Sequence, residues 1–267
     1  MVGSLGQKIG DGANAEVHAW APGQVVKLFR ADVSRTRAEY EARMTRAVFA
    51  AGAPAPQVFN EVTHQRRFGM VLSRLDGPTL RKLWLTGAVT SEKAGAILAG
   101  LYMSVHKTPM PSNLISLRHL ITAVSRDIPK HILTGTLALI ERLPPAHELC
   151  HVDLHLDNVI ITTEGPKIID WAFPVRATWA LDLARFHVIY FDLAYIQDGI
   201  DSRRPHALNA AVQSEYARLA GLSDKSLTAA MESYLPIMRA YALGDPGTHP
   251  SRRERLIQQI EAALKQL

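Results

Sequence analysis

Cysteine is nearly absent from this chain. Its 267 residues hold one, Cys150, so no internal disulfide can form and a reducing cytoplasm is the expected compartment. Cys150 follows Leu149 in an apolar run and reads as a small buried residue, not as a reactive thiol. Long apolar runs are missing as well. None reaches the roughly 18 residues of a membrane span, so no membrane partner is expected. The first ten residues have neither the basic start nor the apolar stretch of a signal peptide. Internal repeats and low-complexity stretches are also lacking. What remains is an ordinary globular composition, 47% hydrophobic and 21% charged, with enough chain for one large domain or two lobes.

The net charge of +5 raises the question of nucleic acid. No run of interleaved Arg/Lys and aromatics supports it, and nucleic acid is not an expected partner. The charge is divided instead: residues 1–110 carry 14 basic and 8 acidic side chains, and residues 151–250 carry 8 and 12. An anionic ligand held by the first half would suit that division.

The pattern of elements changes along the chain. Alternating stretches at 5–9, 16–20 and 24–29 read as strands around glycine-bearing turns. Residues 32–51 read as a helix ended by Gly52, and strands at 57–63 and 68–75 follow. Asp76-Gly77-Pro78 marks a hinge. Helical spacing then dominates at 90–107, 114–127 and 131–143. Residues 149–170 are strand-like with a turn at 163–166, and helices are expected at 181–197, 206–220, 224–243 and 250–266. The expectation is an α+β chain with a small β-rich lobe over 1–75 and a larger, mostly helical lobe over 76–267.

The chemistry is concentrated in Cys150-His151-Val152-Asp153-Leu154-His155-Leu156-Asp157-Asn158, followed by Ile168-Ile169-Asp170-Trp171. A His-x-Asp-x-x-x-x-Asn loop with a second aspartate 17 residues after Asp153 supplies what phosphoryl transfer needs. One carboxylate orients the attacking hydroxyl, and an amide and a second carboxylate hold magnesium. Asp153 takes the first role. Asn158 and Asp170, hard oxygen donors, take the second. His151 is expected to brace the loop, His155 to contact Asp170 or a phosphate or equally to serve a structural role, and Asp157 to serve the turn. Alternating His and Asp could instead ligate zinc in a hydrolase, but His187 and His206 stand in no recognisable ligand spacing.

Three further features suit the kinase reading. Gly10-Asp11-Gly12-Ala13-Asn14-Ala15 lies between two strand-like stretches, where Gly10 and Gly12 can bring backbone N–H groups over phosphates; a plain hairpin would use the same residues. Lys27 interrupts the apolar strand at 24–29 and needs an anionic partner if it is not simply snorkelling. Glu41 is the better candidate to orient it, and Glu39 the fallback.

Together these motifs resemble the aminoglycoside phosphotransferase and choline kinase-like family, whose members share the bilobal protein-kinase-like fold. The family string His-Gly-Asp-x-His-x-x-Asn followed by Ile-Asp-Trp is matched with Val152 in place of glycine. Leu181-Asp182-Leu183-Ala184 is similar to the later Asp-Leu-Ala run, whose aspartate is structural in the family. Glu41 stands before Gly52-Ala53-Pro54-Ala55-Pro56 as the family's glutamate precedes Gly-Val-Pro-x-Pro. The stretch Gly69 to Gly77 resembles the hinge strand, which implies adenine contacts from the backbone of Ser73 and Leu75, with Leu72 as gatekeeper. Pro174-Val175-Arg176 departs from the small, glycine-containing stretch usual after Ile-Asp-Trp. The resemblance covers about residues 6–190.

It implies an enzyme that uses ATP (GTP is the alternative) and Mg2+ to phosphorylate a hydroxyl of a small molecule, acting as a monomer or homodimer. An antibiotic kinase is the leading reading, and a metabolic kinase of choline, another amino alcohol, homoserine or a sugar the second. A noncatalytic nucleotide-binding module and a protein kinase are the remaining options. The short stretch from Asp170 to Asp182 leaves little room for a peptide platform. A cationic acceptor would need carboxylates, and Asp192, Asp198 and Asp201 form a loose cluster that could supply them, with Arg203 and Arg204 beside them.

Overall fold

A computed structural model of the chain describes residues 5–193, 201–245 and 248–265. The first half is built from β1 (Lys8–Asp11), β2 (Ala15–Ala21), β3 (Gln24–Phe29), α1 (Arg35–Ala50), β4 (Val58–His64) and β5 (Arg67–Ser73). The strands form one antiparallel sheet in the order β1-β2-β3-β5-β4. Residues at i and i+2 of a strand share a face. Val25 and Phe29 therefore point to one side of β3, where they pack with Ala38 and Ala42 of α1 and with Met70 and Leu72. Lys27 lies on that same face. Ser34 caps α1 by accepting from the Arg37 amide, a bond of the kind that contributes about 1 kcal/mol.

The second half is mainly helical: α2 (Leu80–Leu85), α3 (Ser91–Lys107), α4 (Leu117–Ala123), α5 (Lys130–Arg142), α6 (Trp179–His187), α7 (Arg203–Ala220), α8 (Asp224–Glu232), α9 (Leu235–Leu243) and α10 (Pro250–Leu264). Two small antiparallel ladders interrupt it, β6 (Glu148–Cys150) with β9 (Val175–Ala177), and β7 (Val159–Thr162) with β8 (Gly165–Ile168). Trp171, Tyr102 and Phe186 anchor one core, and Ile121, Ile132, Met238 and Ile260 a second. Cys150 is fully buried, as expected. Among the described residues no helix is long and apolar enough to cross a membrane.

Several elements depart from the sequence reading. The short helix α2 was not anticipated, because six residues are too few to show a period; Thr79 caps it. The helix expected at 114–127 stops at Ala123 and gives way to a single 3-10 turn, Ser125–Asp127. The helix expected at 224–243 is two, because Pro236 has no N–H to continue the ladder across Ser233 and Tyr234. β9 was also missed. The helix α6 begins at Trp179 and passes into a π turn, Val188–Asp192. At the expected hinge, Gly77 has φ 159°, and a β-carbon there would stand 1.9 Å from the Ile161 carbonyl oxygen. The Ile161 amide in turn donates to the Pro78 carbonyl at 2.9 Å, seating the hinge on β7.

The loop at 151–158 is held from α6. Asp182 is 1% exposed, and its carboxylate accepts from the amides of His151 at 3.0 Å and Val152 at 2.7 Å. The Nε2 of His106, on α3, lies 3.1 Å from the same carboxylate, and the Tyr216 hydroxyl lies 2.8 Å from the other ring nitrogen. Tyr102 donates to the Leu154 carbonyl at 2.5 Å. These bonds hold Val152 at φ 73°, a conformation that costs a β-branched residue on the order of 1–3 kcal/mol. In Asp182→Asn one acceptor oxygen becomes a donor facing another donor. We expect urea unfolding to show a loss of about 2–4 kcal/mol, and a change below about 0.5 kcal/mol would mean that other contacts hold the loop.

Candidate active site

Lys27 of β3 reaches toward α1 and meets Glu41, Nζ to Oε1 at 2.5 Å, and then Asp170, Oδ1 at 3.2 Å. Glu39, the fallback partner, is bound to Arg35 at 2.7 Å instead. Burial opposes the Lys27 ammonium, but the carboxylates of Glu41 and Asp170 outweigh it and hold its pKa above the usual value. Burial also pushes the Glu41 carboxyl up to about 6, against the pull of Lys27. At neutral pH the two are a charged, buried pair. Asp170 follows β8 with φ 65°, and its side chain is 40% exposed.

Asp153 centres a second group. Arg185 of α6 donates from Nη2 to Oδ1 at 3.2 Å, and Nε2 of His155 lies 3.5 Å from Oδ2. Burial pushes the Asp153 carboxyl up. The hydrogen bond and charge of His155 and the charge of Arg185 more than reverse this and leave it well below the usual carboxylate range. Burial works against the His155 imidazolium, while the bond and charge of Asp153 raise its pKa overall. Of the roles expected for His155, the contact with Asp170 is not the one the geometry shows: its ring lies between Asp153 and Asp157, where unlike charge is closest, as a structural role requires.

His151 is buried, and desolvation lowers its pKa so that the ring is neutral. Its Nδ1 accepts from the Asp153 amide at 3.2 Å, Nε2 lies 3.3 Å from the Ile169 carbonyl, and the ring rests on Trp171. Bracing, not chemistry, is what these bonds do. They also join the two groups, because the Ile169 amide donates to the Asn158 carbonyl at 2.9 Å. Asn158 donates its side-chain NH2 to the Asp153 carbonyl at 2.9 Å, which leaves its amide oxygen to face elsewhere. Asn158 and Asp170 thus end adjacent strands of one ladder and offer the hard oxygen donors that magnesium takes. The Lys27 ammonium beside Asp170 shows that this carboxylate already accepts a cation's charge.

The expected flap is the β1–β2 hairpin. Arg30 fastens its tip, donating to the carbonyls of Gly12 and Ala13 and to Asp11 at 2.5 Å. Neither Gly10 nor Gly12 has a positive φ, and a β-carbon at either would meet only ordinary contacts. At the hinge strand, the Ser73 amide already donates to the Gln57 carbonyl at 2.9 Å, which takes that donor out of reach of a ligand. Leu75 stands two residues past the end of β5.

Beside Asp153 opens a cavity that the sequence did not announce. Asp153, His155, Asp157, Arg81, Arg185 and Asp245 are its charged or titratable lining, and Trp84, Ile189, Tyr190 and Pro205 supply apolar surface. Arg81 stands 3.5 Å from Asp157. Of the expected acidic cluster, the described members Asp192 and Asp201 do not line it. Asp192 is 3% exposed and bound to Arg239 at 2.7 Å, Asp201 is paired with Arg203, and Asp198 lies outside the described residues. Arg185 was missed although a signal existed, an arginine one helical turn past Asp182 on an otherwise apolar helix face.

The zinc alternative finds no support in geometry. Among the described residues, the His, Cys and Asp side chains close enough to share a metal are His106, Cys150 and Asp182. Asp182 is already occupied by its N–H donors. Burial pushes the Cys150 thiol up, and the thiol donates to the Thr178 carbonyl.

No curated protein sequence matches this chain. Among solved structures its fold is similar to an aminoglycoside phosphotransferase from Alicyclobacillus acidocaldarius, with 18% identity, 98% of this chain and 92% of that chain covered, and a TM-score of 0.52. A choline/ethanolamine kinase family protein from Mesorhizobium loti is similar at 15% identity, over 98% of this chain and 87% of that chain, with a TM-score of 0.52. An aminoglycoside phosphotransferase from Streptomyces rimosus, in complex with ADP and streptomycin, shares 18% identity over 84% of this chain and 90% of that chain, with a TM-score of 0.56. These likenesses show the bilobal, kinase-like α+β fold. The family model of the phosphotransferase enzymes matches residues 6–232, and this chain belongs to the phosphotransferase enzyme family.

Proposed function

We propose that the protein transfers the γ-phosphate of ATP, held with Mg2+, to a hydroxyl of a small molecule. The observation that carries this reading is the ionised Asp153 at the wall of a cavity, its carbonyl bonded to the Asn158 side chain, and the Asn158 carbonyl bonded to the amide of Ile169 beside Asp170. Lys27, fixed by Glu41, would hold the nucleotide's phosphates. Asn158 and Asp170 would hold the magnesium ion, which supplies charge neutralisation on those phosphates. Glycine at positions 10 and 12 is not required by the fold itself, which supports a flap whose backbone approaches a ligand closely. Similar structures hold ADP or GDP, so ATP and GTP both fit the fold, with the base facing the backbone of Ser73 and Leu75.

The acceptor hydroxyl donates to the Asp153 carboxylate, which aims its oxygen at the γ-phosphorus. A carboxylate with so low a pKa is a weak base. It orients the hydroxyl, and the proton moves late, in keeping with a loose transition state. Positioning and charge stabilisation therefore supply most of the rate. The similar structures include kinases named for aminoglycosides and for choline or ethanolamine, so both an antibiotic and a metabolic acceptor fit the fold. Screening ATP consumption against aminoglycosides, macrolides, choline, sugars and homoserine tests the reading directly.

Asp153→Asn keeps the volume and removes the charge. We expect kcat to fall by about 10²–10⁴-fold with nucleotide affinity retained, measured by ADP release and by ATP-analogue titration. Turnover equal to the unmodified enzyme would reject the assignment.

The raised pKa of Glu41 predicts the acid limb of the pH profile. Its carboxyl holds a proton up to about pH 6, so below that value Lys27 loses its anchor and kcat/KM for Mg·ATP falls. Asp153 stays ionised through that range and adds nothing to the limb, while His155 titrates above its ordinary value and so at higher pH. Glu41→Gln should lower activity and flatten the acid limb. A limb that survives unchanged in this variant belongs to another group.

A further inference from the structure

The cavity beside Asp153 is not built for a polycation. Each carboxylate that the catalytic loop turns toward it has an arginine: Asp153 is paired with Arg185 and Asp157 with Arg81. The third acid, Asp245, also has a partner. Arg185 is held in place, with its guanidinium 4.9 Å over the ring of Tyr241 and its side chain 12% exposed. Its Nε is buried and finds no hydrogen-bond partner among the described residues. A guanidinium offers five N–H donors in a fixed plane. Here the one carboxylate it reaches is the one that must also receive the acceptor hydroxyl. An ammonium group brought to this place would meet a half-desolvated like charge. A carboxylate or phosphate would meet a preformed partner whose bidentate geometry it matches.

We propose that Arg185 makes this phosphotransferase selective for hydroxyl acceptors that carry an anionic group, a carboxylate or phosphate, close to the hydroxyl that Asp153 orients. The proposal rests on the phosphotransferase reading above and names its acceptor class. The guanidinium takes the acceptor's anionic group while Asp153 takes its hydroxyl, and the apolar wall of Trp84, Ile189 and Pro205 covers the carbon skeleton.

Two matched sets of probes test it, one of 3-hydroxypropionate, 3-hydroxypropionamide and 3-aminopropanol, the other of glucuronate, glucose and glucosamine. In each, size is nearly constant while charge runs from negative through neutral to positive. Binding to the Mg·ADP-loaded protein is measured by calorimetry, and turnover by ADP release from Mg·ATP. In at least one set the acid should bind about ten- to a hundredfold tighter than its neutral and cationic counterparts, as a charge-assisted bond predicts. Arg185→Met should abolish that ratio, and Arg185→Lys should restore part of it. The ratio is the decisive readout, because a merely misaligned Asp153 lowers all three members of a set alike. If the guanidinium serves the transferred phosphoryl group instead, kcat falls equally for every acceptor in Arg185→Met and the ratio stays, which overturns the proposal. Absence of an acid preference in both sets overturns it too, whether or not turnover is seen. Acid-selective, Arg185-dependent binding without transfer to any acceptor would support the anion site while rejecting the phosphotransferase reading.

Discussion

The carboxylate of Asp182 receives two consecutive backbone amides, those of His151 and Val152, from deep inside the helical half. A buried carboxylate is stable only when its lone pairs are filled, and here the His106 ring completes the set. The demand works in both directions. The loop cannot relax Val152 out of the left-handed region without stranding a buried charge, and the charge cannot move without releasing the loop. Everything that the site needs follows along the chain from that fixed point. Asp153 comes next, then His155 and Asn158, and the β7–β8 ladder carries the geometry on to Asp170.

The same logic of compensated burial governs the other half of the site. Lys27 is an apolar strand's single charge, on the face that packs against α1, and only Glu41 lies within reach on that helix. Burial alone would disfavour both charges, and each is retained because the other is present. Asp170 then links the sheet to the helical half through Lys27, alongside the Tyr40 hydroxyl bonded to the Ile115 amide and Arg37 over the ring of Phe173. Apolar packing and a backbone bond reinforce this joint: Val48, Ala53 and Ala55 enter the core of the helical half, and the Ile168 amide donates to the Pro54 carbonyl at 2.7 Å.

Much of this was legible in the sequence because the governing patterns are local. Lys27 within an apolar strand, Glu41 on the following helix, and the spacing from Asp153 to Asn158 and Asp170 each needed only a short window. The preference for Glu41 over Glu39 followed from the same reading and agrees with the observed pair. What was not legible depends on chain segments meeting from afar. Arg185 reaches Asp153 across 32 residues, and Asp192 is claimed by Arg239 across 47, so charges that looked like a free acidic cluster are partly spent inside the fold. Pro236 could have divided the helix expected at 224–243 by inspection alone, since its missing N–H is a local fact.

Asp182 and Arg185 stand three residues apart on α6, and that placement separates two tasks while keeping them in register. At this spacing side chains share a face of the helix. One turn of one helix therefore fixes the loop that carries Asp153 and sets a guanidinium against that carboxylate. The backbone of α6 is held by its own ladder and by the buried apolar residues Leu181, Leu183 and Phe186, so a change at 185 need not disturb the bonds made at 182. The reach of the long arginine side chain, and not the position of the helix, decides how far the cation extends into the cavity. The anchoring of the loop and the charge beside Asp153 are in this way supported by the same helix but carried by different side chains.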